Sequence, residues 1–126
     1  GAVGLAAACA YLSEIGLGHI AEHSRDLAER ARAALAEIPG VVVYAGEGIV
    51  SFALPGVHAH DIAEILAREN VAVRAGHHCA EPFVRALGVP ALVRASFYLY
   101  NDESDVEKLI TGVNKAVGIF SVNANA

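Results

Sequence analysis

The spacing of apolar positions changes several times along the chain, and each change marks an element. From Ala2 to Ile15 nearly every position is apolar. The stretch is alanine-rich, which favours helix, and Gly16 and Gly18 stop it. From His19 to Ile38 the pattern becomes amphipathic, with Ile20, Leu27, Ala31, Leu35 and Ile38 recurring at helical spacing. Arg25 with Glu29, and Asp26 with Arg30, stand one turn apart on the polar face and can pair weakly. Pro39–Gly40 ends this helix, because proline excludes the preceding residue from helical geometry. Two strand runs follow, Val41–Tyr44 and Ile49–Leu54, joined by Ala-Gly-Glu-Gly as a hairpin turn.

A third helix is predicted over His60–Glu69, with Ile62, Ile65 and Leu66 facing inward, and a third strand over Val71–Arg74. Pro82 suits the first turn of a brief helix that Gly88 stops. Leu92–Phe97 reads as a fourth strand. Asp102, Glu103 and Asp105 favour a helix start, where the macrodipole accepts negative charge. Val106, Leu109, Ile110, Val113 and Val117 give that last helix its apolar stripe. The elements predict an α/β fold of the α+β, two-layer kind: a small sheet of about four strands packed against helices, with a long N-terminal helical segment. Residues 19–120 form its body, and residues 121–126 read as a frayed tail. Residues 1–18 fit less well. A helix apolar on every side calls for burial, so this segment is expected to pack against something the chain does not contain.

Composition narrows the function classes. Hydrophobic residues make up 55% of the 126 positions, which marks a folded chain and not a disordered one. The net charge of -5, with Lys and Arg scattered, provides no basic stripe for nucleic acid. No apolar run reaches the roughly 20 residues that span a bilayer. The apolar opening lacks a positive n-region and is not read as a signal peptide. Cys9 and Cys79 are far apart, and without a secretion signal they read as reduced thiols of a cytoplasmic protein.

Chemistry concentrates in Arg74-Ala-Gly-His-His-Cys-Ala-Glu-Pro82. A thiol, two imidazoles and a guanidinium share one turn after a strand, and loops on a rigid scaffold are where reactive groups gather. Positive charge nearby favours the thiolate, the nucleophilic form of cysteine, and Arg74, His77 and His78 are placed to supply it. The same residues leave two other readings open. An isolated cysteine is often an inert buried residue. His77, His78 and Cys79 could also bind a metal, although adjacent ligands make poor tetrahedral geometry and no second cluster is near. Arg94 is the second candidate, an arginine in an otherwise apolar strand, whose planar fork suits a carboxylate; pairing with an acidic side chain would explain it equally. Cys9, among alanines, reads as a packing residue. His19, His23, His58 and His60 read as surface or capping groups.

Val73-Arg-Ala-Gly-His-His-Cys-Ala80, followed by Pro90-Ala-Leu-Val-Arg-Ala-Ser96 and Tyr100-Asn101, resembles the C-terminal small domain of cysteine desulfurases of the SufS type. These enzymes belong to the class V, fold-type I aminotransferase superfamily. The long helix ending in Ile38-Pro-Gly40, the Ser51-Phe52 strand and the acidic start of the last helix agree with it. The resemblance implies pyridoxal phosphate (PLP) in the full-length enzyme, conversion of L-cysteine to L-alanine, and transfer of the sulfur through a persulfide to an acceptor protein for iron–sulfur cluster assembly. It implies that Cys79 is the persulfide-forming nucleophile, that Arg94 binds the substrate carboxylate, and that Arg74 is a second active-site arginine. His77 and His78 are supporting loop residues. The short loop implies an acceptor of the SufE or SufU kind and, in the full-length context, a homodimer.

The departure from the family is the cofactor. A Schiff base needs a lysine, and Lys108 and Lys115 both fall in the last helix, at positions matching no PLP motif. No cofactor-binding residue is therefore assigned, the N-terminal PLP domain is expected to be missing, and the isolated chain is expected to be inactive. A stand-alone sulfur carrier and a selenocysteine lyase-type relative are the alternatives.

Overall fold

The first break falls at one glycine. In the computed structural model, which describes residues 1–123, Gly16 has φ +98°. This left-handed backbone costs glycine least, and it ends α1 (Ala2–Ile15) and starts α2 (Leu17–Ala36). The two helices are bent by 76° there, and no single helix among the described residues is long and apolar enough to cross a membrane. α1 buries none of its residues, leaving Val3, Leu5 and Tyr11 exposed. α2 buries the stripe its sequence predicts: Ile20, Leu27, Ala31 and Leu35, with Ile38 just beyond its end.

Four strands form one sheet: β1 (Val42–Ala45), β2 (Ile49–Ala53), β3 (Arg74–Gly76) and β4 (Leu92–Ser96), in the order β1-β2-β4-β3. Every neighbouring pair is antiparallel. β2 and β3 therefore run the same way, linked through α3 (Ala59–Arg68), with β4 between them in a split β-α-β arrangement. α4 (Glu81–Ala86) precedes β4, and α5 (Glu103–Asn123) follows it. The fold is thus α+β, as the alternation of periods predicts. Residues 124–126 of the expected tail lie outside the described residues.

Strand alternation sorts the sheet into two faces. Val50 and Phe52 of β2 and Val93 and Ala95 of β4 enter one core with Leu35 of α2, Leu66 of α3 and Leu109 and Val113 of α5. The opposite face is covered at one end only, where Val84 of α4 packs with Ala53 and Leu92, joined by Tyr44, Leu87 and Val89. Helices α3 and α5 approach closely at Gly112, where a Cβ would lie 2.5 Å from Cδ2 of the fully buried Leu66. Phe52 is completely buried in the middle of the helix-covered face. Phe52→Ala should therefore destabilise the fold by about 3–5 kcal/mol, read as a lowered urea midpoint.

Two local expectations differ from the structure. The third strand is Arg74–Gly76, not Val71–Arg74. Val71 N–H is committed to the Leu66 carbonyl at 2.9 Å, closing the end of α3, so the chain joins the ladder with β4 only from Arg74 onward. The polar face of α2 also pairs differently. Arg25 reaches Glu47 at 3.6 Å, Arg30 reaches Glu103 at the start of α5 at 2.9 Å, and Glu29 pairs with Arg32. All six side chains are exposed or nearly so, where such pairs contribute about 0–1 kcal/mol each, so longer reaches are as favourable as a neighbour one turn away.

Candidate functional site

The open face of the sheet carries the arginines. Ser51 of β2 and Arg74 of β3 both stand opposite Arg94 of β4 in the ladder. Directly opposed residues share a face, and Val93 and Ala95 on either side of Arg94 are buried in the helix-side core. Ser51, Arg74 and Arg94 therefore lie in a row across the uncovered face. Like charges directly opposite one another are destabilising. Among the described residues neither arginine has a carboxylate within 4 Å, and the shielded Nε of Arg94 has no hydrogen-bond partner. A pairing of Arg94 with an acidic side chain, the alternative left open by the sequence, is not formed here. Two guanidiniums side by side favour a negative charge beside them, and the planar fork of Arg94 has the geometry to match a carboxylate.

The chain leaves β3 at Gly76, with φ +125°, and turns at once. Ala80 N–H donates to the His77 carbonyl at 2.8 Å, and the two central residues have positive φ, +54° at His78 and +60° at Cys79. This is the hydrogen-bonded geometry of a type I′ turn, ordinarily built from Asn and Gly. Holding two side-chain-bearing residues there costs of order 1–3 kcal/mol each. The turn points its side chains to different places. Cys79 is exposed, as is His77. The ring of His78 is turned inward, with both nitrogens shielded from solvent and without a hydrogen-bond partner. Cys79 packs against nothing that would make it inert, and a small molecule or another protein can reach it.

His78 has its pKa lowered, first by burial and then by the positive charges of Arg94, Arg74 and His77; only the nearby Leu92 backbone opposes them, and it forms no hydrogen bond with either ring nitrogen. The neutral form of the ring is therefore favoured. An unfolded histidine titrates near about 6.5, so as pH falls the unfolded chain takes up this proton before the folded one. The contribution to stability is fully present above that pH, declines as pH drops through it, and stops declining once the folded ring itself protonates. His78→Phe should remove this part of the loss in urea midpoint between about pH 7.5 and about pH 5. An equal loss in both proteins would contradict the assignment.

The remaining candidates fall elsewhere. Cys9, expected to pack, is exposed because α1 packs so little of its surface. His58 caps α3, accepting from the His60 N–H at 3.3 Å. His23 bonds the Asn101 carbonyl at 2.9 Å, tying α2 to the turn before α5, a link nothing in the sequence pattern signals. Among the described residues no group of three His, Cys, Asp or Glu is placed to hold a metal. Lys108 pairs with Asp105 and Lys115 with Glu69, both on α5, which packs on the face of the sheet opposite Arg94. Both lysines are thus committed to carboxylates.

Known proteins share the pattern and the shape. The profile of the family described as aminotransferase class-V matches residues 1–109. A probable cysteine desulfurase of Halalkalibacterium halodurans is 45% identical over 95% of this chain, which spans only 30% of that protein. The solved Escherichia coli cysteine desulfurase CsdA, in an S-sulfonic acid form, superposes with a TM-score of 0.88 at 37% identity, over 93% of this chain and 30% of that one. The apo cysteine desulfurase of Thermococcus onnurineus gives the same TM-score, 0.88, at 40% identity over 94% and 31%.

Proposed function

The chain belongs to the class-V aminotransferase family, and on that premise we propose that it is the C-terminal part of a cysteine desulfurase, with Cys79 as the residue that accepts the sulfur. The observation that carries this reading is the exposed thiol on a strained turn, at the end of the strand whose Arg74 faces Arg94. One element thus supplies both a nucleophile and a neighbour of the anion site.

In this reading Arg94 receives the carboxylate of L-cysteine through its paired N–H donors, with Arg74 beside it. The neutral His78 adds no further charge below them. The Cys79 thiolate attacks the sulfur of the substrate. An S–S bond forms, the substrate C–S bond breaks, and its electron pair stays on the substrate carbon. Protonation of that carbon gives L-alanine, and Cys79 is left as a persulfide. The sulfur then passes to an acceptor protein of the SufE or SufU kind, for iron–sulfur cluster assembly. PLP belongs to the part of the protein outside this chain, in keeping with a chain that spans 30% of its relatives. The proposed setting is a cytoplasmic homodimer of the SufS type.

The full-length protein with PLP should release L-alanine from L-cysteine, and sulfide when a thiol reductant is present. The 126-residue chain alone should release neither. Alanine from the isolated chain, or none from the full-length protein, would contradict the proposal.

A further inference from the structure

We infer that His78 is a positioning residue that sets Arg94 and Cys79 as one unit: its inward-turned imidazole wedges the turn bearing the thiol against the strand bearing the carboxylate-binding guanidinium. The inference deepens the proposed desulfurase reading and rests on it. Three observations converge on this ring. It sits at the first central position of the type I′ turn, directly before Cys79, in a backbone conformation that histidine adopts at a cost. It is the only side chain of the two central positions to turn inward, Cys79 being exposed. Its two nitrogens and Nε of Arg94 are the three shielded, unpartnered side-chain polar atoms among the described residues.

Shielded polar atoms without protein partners are rare in folded proteins, and each calls for an explanation such as strain, a catalytic role or a bound water or ion. Here the wedge holds a turn that the local backbone disfavours, and it closes the site beneath Arg94. The charged groups around the ring are consistent with a neutral wedge. Arg94 on β4 and Arg74 on β3 are cationic, and His77 adjoins it in the turn. On α4, Glu81 is paired with Arg85 at 2.6 Å, and among the described residues no carboxylate contributes to the electrostatics of the ring. Protonation would put a third positive charge against two arginines and push the ring out, loosening the thiol and the carboxylate site together.

A wedge shared by two functions predicts a distinctive kinetic signature in the full-length enzyme with PLP. His78→Ala should raise KM for L-cysteine and lower kcat, each by about tenfold or more, because small misplacements of reacting groups carry penalties of that size. Arg94→Ala should act mainly on KM and Cys79→Ser on turnover alone. His78→Phe keeps a neutral ring in the same space, so it should hold KM within about threefold of wild type, provided its melting temperature shows it folded. It should also flatten the fall of kcat/KM on the acid side of about pH 6.5. If Arg94→Ala raises KM while His78→Ala leaves both constants unchanged, the inference fails and the desulfurase reading stands. If Arg94→Ala leaves KM unchanged, the carboxylate site is misassigned and the inference falls with it. An acid limb identical in wild type and His78→Phe would equally overturn it.

Discussion

Cys79→Ser in the full-length protein should lower sulfur transfer by at least about 10³-fold, the scale seen when a covalent nucleophile is removed. The hydroxyl is nearly isosteric with the thiol, but at neutral pH it is a far weaker nucleophile toward sulfur. The fold should not notice the change. Cys79 is exposed, belongs to neither hydrophobic cluster and forms no disulfide. Its backbone strain belongs to the turn and is present with either side chain. The variant should therefore match wild type in circular dichroism and urea midpoint while losing persulfide-dependent sulfide release. A variant that keeps wild-type sulfur transfer would remove Cys79 from the mechanism.

Arg94→Ala should weaken binding of L-cysteine by roughly 2–5 kcal/mol, the range for truncating one partner of a desolvated charge pair. The position explains the size. Arg94 lies on the inner strand β4, flanked in the ladder by Ser51 and Arg74, and its shielded Nε has no partner among the described residues. Among the described residues this Nε is committed to no acceptor, so a bound carboxylate would satisfy it. Arg94→Lys should recover only part of the loss, because an ammonium keeps the charge but not the planar fork. Substrate affinity measured by spectral titration of the full-length enzyme separates the three proteins; equal affinity in wild type and Arg94→Ala would reject the role. Stability should change less than affinity, because removing Arg94 also relieves its repulsion with Arg74.

Much of this architecture was legible as periodicity. Ile20, Leu27, Ala31, Leu35 and Ile38 recur at helical spacing and all are buried. Ile62 and Leu66, and Val106, Leu109 and Val113, likewise face the core from α3 and α5. The arginine out of place among Leu92, Val93 and Ala95 is an open-face residue, as strand alternation requires. Sequence could not show which residue would stand opposite it, because register is a tertiary property. The pairing of Arg74 with Arg94 is therefore a structural finding. So is the divergence of His78 and Cys79. A type I′ turn is recognised in sequence by Asn and Gly, and His-His-Cys-Ala carries neither. The start of β3 was misplaced for a related reason. Val71–Val73 has strand composition, but its first N–H is drawn into the end of α3. α1, expected to pack against something the chain does not contain, buries none of its residues here.

The central claim is that sulfur passes through Cys79, and intact-protein and peptide mass spectrometry after a single turnover tests it most directly. Full-length protein mixed with L-cysteine and quenched with an alkylating agent, without reductant, should carry one added sulfur of about 32 Da as an alkylated persulfide. Fragmentation should place it on Cys79. An added sulfur on Cys9 or another thiol, or L-alanine formed with Cys79 unmodified, would contradict the account.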